Sequence, residues 1–154
     1  MNLSVTNETL SVLPVARSVL EKIKELVLGK GYELTLVVTG SATLKKFNLE
    51  YRNLNKTTDI LSFPLSERQG EIYLCPSETR RQARLFGKNY RDFFIQLFIH
   101  GCAHLKGYRH GARMESFECK IWRATSSPVS MSAPTIPRSS SLAPKTKMRK
   151  VIRK

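Results

Sequence analysis

At 154 residues the chain is long enough to fold as one domain with a real core. Its formal net charge of +14 points to a polyanionic partner, nucleic acid above all. Cys75, Cys102 and Cys119 are odd in number and irregularly spaced, which argues against a disulfide framework and for reduced thiols in a cytoplasmic setting. No signal peptide is evident, and no apolar run approaches the ~18 residues of a membrane span.

In chain order, residues 2–6 suit a short edge strand. Residues 14–28 follow as a helix, with Pro14 in its first turn. Val15, Val19, Ile23 and Val27, with Ala16, Leu20 and Leu26, form its apolar face, and Gly29 and Gly31 end it. Residues 32–39 alternate as a strand, with Leu34, Leu36 and Val38 on one side. Gly40 breaks the strand, and Ser41 is placed to cap a helix reaching about residue 51. Residues 59–64, closed by Pro64, and 70–75 read as two strands, joined into a hairpin by the polar loop 66–69. Ser77 is placed to cap a helix that Gly87 stops. Asn89 and Asp92 resemble a capping box before a helix that is apolar nearly all round and ends before Gly107. A last short helix spans 114–122. Strands and helices in this order predict an α+β domain, a small mixed sheet carrying the apolar faces of the helices.

All three histidines fall in one short stretch, His100, His104 and His110. In a helix over 93–106, His100 and His104 lie one turn apart, about 6 Å between their side-chain bases. A turn at Gly107 lets His110 return to the same point. Three imidazoles with room for a fourth, exchangeable ligand is the catalytic rather than the structural pattern for zinc. The common zinc-peptidase helix carries glutamate directly after its first histidine. Gly101 holds that place, which disfavours a peptidase. A buried helix tolerates glycine where a strand or the substrate must come close. Cys102 points to the opposite side of the helix and is a poor ligand.

Beyond Arg123 the composition changes. Residues 124–154 are rich in Ser, Pro and Thr, then basic, with seven Lys plus Arg and no acid, so the tail and residues 1–123 each carry +7. Such a tail cannot fold alone and reads as disordered, or as an electrostatic tether to RNA.

The run His100-Gly101-Cys102-Ala103-His104-Leu105-Lys106-Gly107-Tyr108-Arg109-His110 resembles the His-Gly-x-Leu-His-Leu-x-Gly-Tyr-Asp-His signature of the YbeY endoribonucleases. Asn48-Leu49-Glu50-Tyr51-Arg52 and Thr58-Asp59-Ile60-Leu61-Ser62-Phe63-Pro64 resemble that family's second motif. Gly70-Glu71-Ile72 is similar to its Gly-Asp-Ile hairpin strand. The resemblance implies a zincin-like fold with a buried central helix over an endoribonuclease domain at 1–123, and one Zn2+ per chain on His100, His104 and His110. It implies Arg52 as a catalytic residue, cleavage of single-stranded RNA, 16S rRNA 3′-end maturation and ribosome quality control, with ribosomal RNA and the small ribosomal subunit as partners. The alternative is a catalytically weak, zinc-binding ribosome-assembly factor that binds RNA without cleaving it. Arg109 stands where the family has Asp; it either meets a phosphate or weakens the metal. Ala103 and Glu71 are milder departures, and the tail has no counterpart in the family pattern. Lys45, Lys46, Lys56, Arg80, Arg81 and Arg84 are either an RNA path or plain solvated faces.

Overall fold

The computed structural model describes residues 2–125. The elements run β1 (Leu3–Asn7), α1 (Arg17–Leu28), β2 (Glu33–Val38), α2 (Ser41–Arg52), β3 (Ile60–Ser66), β4 (Gln69–Leu74), α3 (Pro76–Leu85), α4 (Tyr90–Lys106) and α5 (Ala112–Thr125). One four-stranded sheet has the order β1-β2-β4-β3. β1 pairs with β2 and β2 with β4 in parallel, whereas β3 runs antiparallel to β4. The helix between β1 and β2 permits the parallel pairing, and the two-residue turn at Glu67 and Arg68 enforces the antiparallel one. This is the expected α+β domain with a mixed sheet.

The period of two along the strands divides the sheet into two apolar faces. Leu34, Leu36, Val38, Ile60, Ile72 and Leu74 turn to one face and join the main core, under α1, α4 and α5. Leu61, Phe63 and Tyr73 turn to the other, where Leu44, Phe47 and Tyr51 of α2 cover them. The Phe47, Phe63 and Tyr73 rings meet edge to face at centroid separations of 5.0–6.0 Å, a favoured aromatic geometry. Helices thus sandwich the β3–β4 hairpin, and β3 forms one edge of the sheet, β1 the other.

α4 is the hub. Every residue from Phe93 to Ala103 is buried, as its all-round apolar sequence requires. Gly101 is where α4 meets the sheet. A Cβ there would lie 3.0 Å from Ile60 Cδ1, 3.0 Å from Ser62 Oγ and 3.1 Å from Ile72 Cδ1. The Ser62 hydroxyl donates to the Gly101 carbonyl at 3.2 Å. The glycine expected to admit a close neighbour therefore admits a strand.

Several local expectations are corrected. α1 begins at Arg17 rather than at Pro14, because Val15 is buried in an extended approach and Ala16 takes the cap, its carbonyl accepting from Val19 and Leu20. Leu26 is 44% exposed, and Lys24 is buried instead, its Nζ donating to the Lys30 carbonyl at 3.1 Å. Ser41 and Ser77 are not caps. Gly40 and Cys75 hold those positions, and Pro76 occupies the first turn of α3, where its missing N–H costs nothing. Pro64 does not close β3; the strand continues to Ser66 through an irregularity in register. Asn89 does cap α4, its Oδ1 accepting from the Asp92 N–H at 3.2 Å. Ala124 and Thr125 belong to α5; residues 126–154 of the expected tail lie outside the described residues. Among the described residues, no helix is long and apolar enough to cross a membrane.

Two predictions follow from this packing. Gly101→Val forces a branched side chain against β3 and β4 and lowers stability in urea unfolding by about 1–3 kcal/mol. The second concerns Asp59, just before β3, which is buried with Oδ2 unpartnered among the described residues. Burial pushes its carboxyl from 3.8 up to about 7, with Glu78 adding a smaller push. Across that window the fold retains a proton that the unfolded chain has released, so this group costs stability as pH rises. Asp59→Asn is therefore more stable than the parent at pH 7.5, and the difference closes as pH falls toward 4.

Candidate metal centre

The end of α4 positions the three imidazoles. Gly107 sits at φ +117°, a conformation that glycine adopts without strain. The Gly107 N–H donates to the His104 carbonyl and the Tyr108 N–H to the Ala103 carbonyl, both at 3.0 Å, the Schellman pattern of a helix stop. That stop turns the Tyr108 carbonyl back toward the helix, where it accepts from Nδ1 of His104 at 3.0 Å. The Tyr108 ring stacks on Phe117 of α5, with centroids 4.6 Å apart, and pins the returning segment. His110 then faces the two helix histidines.

The Nε2 atoms of His100 and His104 are 3.2 Å apart, those of His100 and His110 3.2 Å, and those of His104 and His110 3.3 Å. Two nitrogens each ~2.0–2.1 Å from a tetrahedral zinc stand about 3.3 Å apart, so the triangle has the size of one face of such a site. The protons agree. A carbonyl can only accept, so Nδ1 of His104 carries its hydrogen and Nε2 is left with a lone pair. Nδ1 of His100 meets Oε2 of Glu118 on α5, a carboxylate–histidine pairing that fixes ring orientation.

Burial runs from His100, through half-buried His104, to exposed His110, so the triangle opens to solvent on the His110 side. Desolvation holds His100 down at about 4 and His104 at about 3; for His104, charge on His100 and His110 lowers it further. Both rings are therefore neutral, the ligand form, across the physiological range. Burial also pushes the Glu118 carboxyl up to about 7, with His110 pulling it down and Glu115 pushing it up. A cation on Nε2 of His100 would favour the carboxylate and leave the shared proton on Nδ1.

Arg52, the last residue of α2, is partly buried and acts electrostatically on His104. Desolvation lowers its pKa from the ordinary 12.5. Its helix packs on the face of the sheet opposite the one that carries α4. Cys102 is buried in the core with its thiol pushed up by burial, and takes no part.

Glu118 was not singled out from the sequence. Its signal was available. Met114, Glu118, Ile121 and Trp122 are the buried residues of α5, so an acid stands on an otherwise apolar stripe. Of the basic residues considered for an RNA path, Arg81 is held by Glu78, and Arg80 lies 5.2 Å over the Tyr90 ring and donates to Ser11. Glu118→Gln, keeping the shape but not the charge, weakens metal binding by about 10–100-fold in competition with a chromogenic chelator.

Comparison with known proteins agrees with this geometry. The endoribonuclease YbeY family profile matches residues 3–123. A Sulfurimonas denitrificans protein named Endoribonuclease YbeY is 34% identical over 120 residues, covering 73% of this chain and 85% of its own. One of the same name from Persephonella marina is 33% identical over 102 residues, covering 61% of this chain and 67% of its own. A Thermotoga maritima protein solved in solution shares the fold, with a TM-score of 0.54 at 24% identity over 83% of this chain and 99% of that one. With its profile match running from β1 into α5, this chain belongs to the endoribonuclease YbeY family.

Proposed function

We propose that this protein is a zinc-dependent endoribonuclease that cuts single-stranded RNA in the cytoplasm and acts on ribosomal RNA of the small subunit. The reading rests on one observation above the others: three imidazole Nε2 atoms, two of them on rings that burial keeps neutral, meet within 3.3 Å of one another at a solvent-facing corner. His100, His104 and His110 hold the metal. Family membership supplies the substrate class.

Bound zinc supplies a water whose pKa falls to roughly 7 and a Lewis acid for a phosphoryl oxygen. The protein's own groups do the rest. Glu118 and the Tyr108 carbonyl orient two of the imidazoles and hold their protons on Nδ1. Arg52 brings a fixed positive charge to the rim, where negative charge builds on the phosphoryl oxygens as the bond to the leaving oxygen breaks. A preorganised cation in a partly desolvated place is worth several kcal/mol there.

A metal-stabilised assembly factor that does not cut RNA draws its appeal from Arg109 standing where the family carries Asp. The centre has its carboxylate nonetheless, in Glu118, so Arg109 does not leave His100 without an acidic partner. A peptidase is disfavoured further, because position 101 faces β3 and β4, where no side chain could serve as a base.

Two variants separate binding from chemistry. His104→Ala loses both zinc and RNA cleavage. Arg52→Ala keeps zinc and loses about 10²–10³-fold in kcat. Metal analysis of nuclease-free protein, beside cleavage of a single-stranded RNA with and without chelator, decides the assignment; zinc retained by the first variant refutes the ligand set.

A further inference from the structure

The turn that returns His110 to the centre also walls a second feature. Residues 106–113, between the end of α4 and the first turn of α5, line a cleft of about 660 Å³. Three of its lining residues are cations, Lys106, Arg109 and Arg113, all exposed, and none is an acid. None of the three has an ion-pair partner among the described residues. His110 belongs both to this wall and to the imidazole triangle, so cleft and centre share one side chain.

Three like charges on one short turn, next to a site for a further cation, repel one another, and nothing acidic in the wall offsets them. An anion brought into the cleft relieves that repulsion. Two of the three are arginines, whose planar forks grip phosphate oxygens in pairs. The glycines at 107 and 111 leave the backbone of the wall uncovered by side chains, so a bulky chain can come close.

We propose that Lys106, Arg109 and Arg113 form a subsite for the RNA backbone, with Arg109 and Arg113 gripping a phosphate adjacent to the one at the metal. On this view Arg109, where the family signature carries an acid, is a positioning residue that sets the register of the strand. The inference rests on the endoribonuclease reading for its substrate and not for its chemistry, which is that of any phosphodiester chain threaded past His110.

The test uses the full-length protein, metal-loaded, and a fluorescent single-stranded RNA. Binding is followed by anisotropy over a range of salt, on metal-exchanged protein that does not turn over, and cleavage is followed separately. Each phosphate contact in a single strand contributes about 0.7 to the slope of log affinity against log salt. The double variant Arg109→Ala/Arg113→Ala, which removes both grips on that one phosphate, is expected to lose about 0.7 from that slope and to raise KM about tenfold, with kcat within about twofold and metal content unchanged. Arg109→Lys retains the slope. A double variant with the parent's slope and KM overturns the subsite. So does one that loses metal and kcat together at constant KM, because the turn then serves only to hold His110. If the parent itself leaves RNA uncut, the endoribonuclease reading fails, and the salt slope still judges the cleft.

Discussion

Three imidazole lone pairs cannot be aimed at one point for nothing. Without a shared cation such lone pairs would repel, and burial denies a proton to two of the rings, holding His100 and His104 neutral down to about pH 4. The surroundings fix the rings in this unfavourable arrangement. The His104 ring is held by a carbonyl that the helix stop has turned, and the His100 ring by a carboxylate from another helix. What relieves the arrangement is a cation that accepts all three pairs at once, so the fold is preorganised for metal before metal arrives.

That preorganisation comes from packing. α4 is buried over most of its length, and its one glycine in the buried stretch lets it lie directly on β3 and β4. The helix that carries two histidines is thereby the most extensively buried helix among the described residues. α5 is docked on it through Met114, Ile121 and Trp122, and the same docking carries Glu118 to His100. A change that loosened α5 would therefore reach the centre through Glu118 without touching a histidine. α2 is anchored on the opposite face by Phe47 and Tyr51 and delivers Arg52 from its last turn. Three elements with separate hydrophobic footings thus contribute to the surroundings of the imidazoles: α4 two of the rings, α5 the carboxylate on His100, and α2 the charge of Arg52 acting on His104.

Much of this was legible in the sequence because the signals are local. Period-two alternation marked the strands, and the turn residues marked the hairpin. The 100, 104, 110 spacing needed only helix geometry and a glycine stop. The family motifs brought Arg52 into view. What escaped depends on tertiary neighbours. Ser41 and Ser77 are good caps by composition, but the caps fall one and two residues earlier, at Gly40 and Cys75, just after the ends of β2 and β4. Lys24 is a cation that the apolar pattern of α1 does not include, and it is buried with its Nζ donating to the Lys30 carbonyl, a contact set by how the chain turns after the helix. Glu118 is eighteen residues from its partner, and no period links two helices whose crossing is set by packing. Arg52 and His104 are far apart in sequence and on opposite sides of the sheet, so only the fold brings their charges together.

The distribution of charge completes the case for a polyanionic substrate. The acid of the centre, Glu118, is buried behind His100 and engaged with it, so it presents no negative field to the solvent. Along the turn that carries His110, Lys106, Arg109 and Arg113 are exposed, and half-buried Arg52 adds its charge to the field at His104. A metal would add to the same sign. For a neutral peptide such a rim is an uncompensated cost; for a phosphodiester strand it is attraction that strengthens with every phosphate drawn in. On the proposed reading, the inward-facing acid and the exposed bases of the turn make an anion-accepting mouth over a cation-accepting floor, and an RNA strand crossing the exposed His110 edge would satisfy both.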